Sequence, residues 1–116
     1  MKIVHAASEM FPYLKTGGLA DVTGALCKSL SRFGHDISFF IPGYRKILES
    51  PVFSKAKLKV VLQVELGDEF LRGEVYSLPI GKRQTLYIIR RDEFFDRSDP
   101  YGIANRNYSD NDRRFI

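Results

Sequence analysis

With one cysteine, Cys27, this 116-residue chain has no internal disulfide framework, which fits a reducing cytoplasm. It has no apolar stretch near the roughly 18 residues of a membrane span. The opening Met1-Lys2-Ile3-Val4-His5 is broken too soon, by Glu9 and Lys15, for a secretory signal. Its histidines, His5 and His35, stand far apart, with neither HxxxH nor CxxC spacing, so no metal site is indicated. No Ser-His-Asp or Cys-His arrangement can be assigned from spacing, and the Walker and GxGxxG glycine patterns are both missing. Internal repeats and low-complexity tracts are absent. A dense basic run is absent too: lysines and arginines are scattered among acids, as in Arg90-Arg91-Asp92-Glu93.

The length allows one domain at most. Its 44% hydrophobic and 28% charged residues are ordinary for a globular chain and unlike a disordered one. The net charge of +4 admits an anionic partner, either nucleic acid or a phosphorylated small molecule, or no partner at all. Its diffuse distribution argues against nucleic acid.

Residues 2–8 read as a short buried strand and residues 9–18 as a loop punctuated by Pro12, Gly17 and Gly18. From Leu19 the apolar positions Leu19, Val22, Leu26, Leu30 and Phe33 repeat every three or four residues, predicting one helical stripe. Asp21, Lys28 and Arg32 fall on the opposite face, and Gly34 is placed as the stop. Ile37–Ile41 then forms a second strand, ended by Pro42-Gly43. Strand, glycine turn, helix, strand predicts a βαβ unit whose ligand would bind beyond the carboxyl ends of the strands. Residues 44–49 suggest a helical turn. Residues 57–78 alternate apolar and polar side chains in part, around the breakers Gly67-Asp68 and Gly73, which predicts an antiparallel β-hairpin or meander, half exposed. Leu86-Tyr87-Ile88-Ile89 reads as a third core strand and residues 92–109 as a polar loop. Ser109-Asp110-Asn111-Asp112 looks like a helix start, with too little chain after it to bury a face, so a longer parent protein is expected.

The junction Lys15-Thr16-Gly17-Gly18 unites the features of an anion site. Two glycines leave no Cβ in the way, the helix start offers N–H groups and a positive dipole end, and Lys15 adds a full charge. A phosphate is the anion expected there.

The same stretch carries a resemblance. Ser8-Glu9-Met10-Phe11-Pro12 and Lys15-Thr16-Gly17-Gly18-Leu19-Ala20-Asp21-Val22 resemble the amino terminus of bacterial glycogen synthases and plant starch synthases. The similarity resumes at Ile41-Pro42-Gly43-Tyr44, at Phe95-Asp96-Arg97 and at Asn107–Phe115. It implies an α/β fold: a Rossmann-like parallel sheet with an antiparallel β-hairpin insertion. Residues 1–116 would be the partial amino-terminal domain of a two-domain GT-B enzyme, with the carboxyl-terminal domain absent. The implied reaction transfers glucose from ADP-glucose to the non-reducing end of an α-1,4-glucan with retention, without metal or other cofactor. The partners implied are those two substrates, with no nucleic acid and no membrane. A partial sheet is expected to self-associate and to be inactive alone.

Each candidate residue has a plain structural reading beside the functional one. Lys15 matches the lysine that contacts the donor diphosphate in the family, or is a solvated loop lysine. Gly17 and Gly18 lend amides to the phosphates, form a tight turn, or both; Thr16 adds a hydroxyl contact or caps the turn. Asp21 lies by resemblance in the donor pocket near the sugar, and otherwise stabilises the helix dipole. Glu9 has its family counterpart in the active-site cleft, with an exposed turn glutamate as the rival. Phe95 is a candidate glucan contact or a ring pinning its loop to the core; many relatives have tyrosine there. Rival functions are a stand-alone anion- or glucan-binding module and a nucleic-acid-binding α/β domain.

Overall fold

A computed structural model describes residues 1–115. Strand β1, Lys2–Ala6, leads through a loop to helix α1, Gly18–Arg32, and then to strand β2, Asp36–Pro42. β1 and β2 are parallel, with Ile3 opposite Ile37 and His5 opposite Phe39, so the expected βαβ unit is present. Gly34 ends α1 by adopting φ +88°. Its N–H bonds Ser31 O at 3.0 Å while His35 N–H reaches back to Leu30 O at 3.2 Å, a paired closure that glycine makes without Cβ strain.

A helical turn, α2 (Arg45–Leu48), leads into a long hairpin of β3 (Lys57–Leu66) and β4 (Glu69–Gly81). Gly67, at φ +61°, makes the reversal. Strand β5, Gln84–Arg90, returns parallel to β2, with Phe39 opposite Leu86 and Ile41 opposite Ile88, and its other edge takes β4 antiparallel. The sheet order is therefore β1-β2-β5-β4-β3. The fold is α/β, and the hairpin prolongs the parallel sheet instead of standing apart from it.

One sheet face is closed. Ile37, Phe39, Ile41, Leu86 and Ile88 are buried against Met10, Leu14, Cys27 and Ile47. Each such side chain contributes about 1.5–3 kcal/mol on burial. On the reverse face Phe40 and Tyr87 stack at 4.7 Å. β1 is an edge strand, with Val4 71% exposed, and not the buried strand that its apolar run suggested.

The helix departs most from expectation. Its buried residues are Ala20, Thr23 and Cys27, whereas Val22 is 63% and Phe33 79% exposed. Two apolar stripes lie one residue apart, and the smaller side chains face inward. Gly24 shows why: the loop before α1 crosses it so closely that Phe11 N–H bonds Ala20 O at 3.0 Å, and a Cβ on Gly24 would lie 2.6 Å from Phe11 O. Bulky side chains have no room there.

Two further segments differ. Gly73 does not break the hairpin but pairs opposite Leu62 inside β4, one residue before the pairing of β4 with β5 begins at Glu74. The region read as a polar loop contains helical turn α3 (Asp92–Phe95) and a small hairpin of β6 (Gly102–Ile103) and β7 (Arg106–Asn107), turned by Ala104 and Asn105 at φ 50° and 62°. Helical turn α4, Asn111–Arg114, follows.

Alanine is preferred over glycine inside a helix by about 1 kcal/mol. Gly24→Ala is nevertheless expected to destabilise the chain by ~1 kcal/mol, because overpacking costs about 1–3 kcal/mol. Urea denaturation of the variant, against Gly17→Ala as a control with open space around its Cβ, checks this.

Candidate functional site

The loop between β1 and α1 starts at the carboxyl end of the parallel strands, where Ala7 N–H bonds Phe40 O at 3.1 Å. Met10 and Leu14, both buried, anchor its middle in the core. Glu9, between them and the strand, is only 3% exposed. A carboxylate so enclosed must find donors or lose its charge, and Glu9 has two on each oxygen. Oε2 accepts the N–H of Thr16 at 2.6 Å and of Gly17 at 3.3 Å. Oε1 accepts the hydroxyls of Thr16 at 2.5 Å and of Tyr101 at 2.6 Å. Burial alone would raise its pKa, but these donors outweigh burial and hold it below the ordinary value of 4.5. The Thr23 hydroxyl ties down the Glu9 backbone carbonyl as well, at 2.8 Å.

The glycine junction is therefore organised from within. Glu9 is an internal fastener and not an exposed turn residue. Thr16 spends both its donors on Glu9, and Gly17 spends its N–H there too, so these groups do not face outward as expected. Gly17 is extended (φ −153°, ψ −164°) and occupies the N-cap position of α1 without a side-chain cap. Neither Gly17 nor Gly18 would clash with anything if given a Cβ. The room left by both lies on the open side, where α1 begins.

Lys15 and Asp21 meet on that open side. Lys15 Nζ lies 2.9 and 2.7 Å from the two carboxylate oxygens of Asp21, with both side chains about half exposed. Asp21 thus answers the lysine and the helix dipole together. The site presents the uncapped start of a 15-residue helix beside an ammonium group whose counter-ion is a carboxylate on the same helix.

The bond from Tyr101 to Glu9 is the contact that sequence reasoning missed. Tyr101 is 92 residues from Glu9, and no local spacing signals a pair so distant. Burial, followed by the bond to Glu9, pushes its phenol up to about 12. Arg114 fixes the segment that carries Tyr101. Its buried guanidinium donates to Phe94 O (2.6 Å), Pro100 O (2.8 Å) and Asn111 Oδ1 (2.7 Å), and it lies 5.0 Å from the Tyr108 ring centroid. Phe95 is enclosed in the same cluster, edge-on to Tyr44 at 5.6 Å. Its ring packs into the core and also lines the apolar cleft beyond the strand ends. Tyr44 is buried with its hydroxyl unpartnered among the described residues. Beyond the strand ends an apolar cleft of about 510 Å³ opens between Ala6, Pro42 and the hairpin residues Leu62 and Val64, with Ser8 joining it to the Glu9 network. No cluster of metal-ligating side chains occurs among the described residues.

The Rossmann-like sheet, with an uncapped helix start and a lysine at its strand ends, matches the amino-terminal region of a GT-B glycosyltransferase. Residues 2–116 match the starch synthase catalytic domain family, and the chain belongs to it. It is 47% identical over its full length to a glycogen synthase from Opitutus terrae, covering 24% of that protein. It is 42% identical, again over its full length, to one from Elusimicrobium minutum, also covering 24%. Its structure matches the catalytic domain of starch synthase IV from Arabidopsis thaliana, bound to ADP and acarbose, with a TM-score of 0.70 at 26% identity. That match covers 88% of this chain and 21% of the other. The chain thus spans about a quarter of the length of its relatives.

Tyr101→Phe removes a donor to an ionised acceptor, a bond worth about 1.5–3 kcal/mol. The variant should lose stability of that order and bind the Glu9 proton more readily. Since the native Glu9 pKa is lowered, the network's stabilisation is complete above 4.5 and is lost as pH falls through the lower native value. The Thr16 and Gly17 amide resonances are expected to shift together below pH 4.5, and in Tyr101→Phe that transition should move upward. An NMR titration of both proteins checks this.

Proposed function

We propose that this chain forms the donor-phosphate side of a cytoplasmic glycogen or starch synthase. That enzyme transfers glucose from ADP-glucose to the non-reducing end of an α-1,4-glucan with retention of configuration. The observation that carries the reading is the uncapped start of α1 beside Lys15, at the carboxyl ends of parallel strands, in a chain of this family. The starch synthase IV neighbour, bound to ADP and acarbose, supports both substrate classes.

In this reading the glucosyl C–O bond breaks with its electron pair going to the diphosphate, and Lys15 neutralises the departing charge. The anion must first take Lys15 from Asp21. Phosphate oxygens replace the carboxylate, and the released Asp21 turns to the sugar hydroxyls, so its dipole-stabilising and donor-pocket roles belong to two states of one site. Because Gly17 N–H is held by Glu9, the amides left for phosphate are those at the start of α1, from Gly18 onward. Glu9 fixes the loop that holds Lys15. Residues beyond these 116 supply the rest of the cleft, so the chain alone transfers no glucose and binds ADP-glucose weakly.

In the synthase that contains this chain, Lys15→Ala removes a charge-assisted contact of about 1.5–3 kcal/mol. The donor KM should rise at least ~10-fold while the glucan KM stays within about twofold. Steady-state kinetics with each substrate varied in turn reads this, and an unchanged donor KM and kcat would overturn the assignment.

A further inference from the structure

β3 carries more apolar surface than an edge strand ordinarily bears. It ends the five-stranded sheet, so the edge it turns away from β4 has no strand beside it among the described residues. Along it Leu58, Val60, Val61, Leu62 and Val64 are all exposed. No proline interrupts the strand. Its one irregularity, between Leu58 and Val60, leaves residues 60–66 in regular register with β4. Edges of this kind are where sheets extend.

Charge selects the partner. The strand has an order of signs, with Lys57 and Lys59 at its start and Glu65 near its end. None of the three enters an ion pair among the described residues. A second copy laid antiparallel along β3 brings the lysine end of each strand to the glutamate end of the other, whereas a parallel copy would oppose like charges. The antiparallel contact is two-fold and closes at two chains. A meeting of β3 with the free edge of β1 would repeat without closing, and β1, whose only lysine, arginine or acid is Lys2, offers no complementary order.

We infer that β3 is a dimerisation strand, which pairs antiparallel with β3 of a second copy and joins two sheets into one. The chain's own polarity of charge sets the register. The apolar positions between the charged ends supply the contact, and regular backbone pairing over residues 60–66 supplies its direction.

The test uses the 116-residue chain, Lys59→Glu, Glu65→Lys and the double variant. All three alter exposed positions, and circular dichroism checks that the fold is kept. Sedimentation across a concentration series should show a dimer for the parent chain. Each single reversal sets like charges together at two symmetry-related places and should weaken the dimer about tenfold. The double variant restores the order of signs, reversed, and should recover the parent affinity. Amide exchange in β3 should slow as concentration rises. A parent chain that stays monomeric, single reversals without effect, or a double variant that fails to recover would each overturn the inference. So would association in all four proteins with exchange slowing along β1, which would make β1 the interface.

Discussion

A carboxylate buried to 3% exposure keeps its charge only when donors surround it, and that requirement governs the Glu9 neighbourhood. Four donors converge on Glu9 from three places: the residues preceding α1, the Thr16 side chain and the distant Tyr101. Meeting the requirement fixes the course of the loop, because Thr16 and Gly17 must turn their N–H groups inward. It also decides which groups face outward. Lys15 and the start of α1 are left on the open side, and the chemistry of the site is what the needs of Glu9 leave free.

Much of the frame was legible in the sequence because its signals are local. The spacing from Ile3 to Ile41 marks a strand, a helix and a strand, and Gly34 marks the stop between them. Gly67 and the alternation around it mark the hairpin. What could not be read depends on contacts between distant segments. The inward face of α1 was misjudged because hydrophobic periodicity says where a stripe lies and not how close the neighbouring backbone comes. Phe11 O beside Gly24 decides that, and it favours Ala20 and Thr23 over Leu19 and Val22. Phe95 offered an aromatic ring in a polar stretch, and only the tertiary fold shows that Tyr44 encloses it. At the site, Lys15 and Asp21 were both singled out, but six residues of separation across a loop gave no sign that they pair. Nothing local tied Tyr101 to Glu9.

The distribution of charge follows the same logic. Most arginines of the carboxyl-terminal third meet carboxylates: Arg90 with Asp92, Arg91 with Glu93, and Arg97 with both oxygens of Asp110. Asp110 is therefore held by Arg97 and makes no cap to α4, although its position at the helix start suggested one. Arg114 differs. It is buried without a carboxylate partner among the described residues, its charge spread over two carbonyls, one amide oxygen and aromatic faces, and burial lowers its pKa. It braces the segment bearing Tyr101 and reaches the wall of the apolar cleft.

The span of the Glu9–Tyr101 bond also sets an order of events. A ribosome releases the chain from its amino end, so Lys15 and the glycines emerge long before residue 101 can reach them. Until then Glu9 lacks one of its four donors, and the core around it lacks Phe94, Phe95 and Arg114. The β1–α1–β2 unit can assemble early from near neighbours, whereas closing a ring of this length is among the slower steps of folding. The loop that carries Lys15 is thus first made and last set. A nascent chain halted before residue 101 would carry every side chain proposed to touch the phosphate and still lack the tether that fixes their positions.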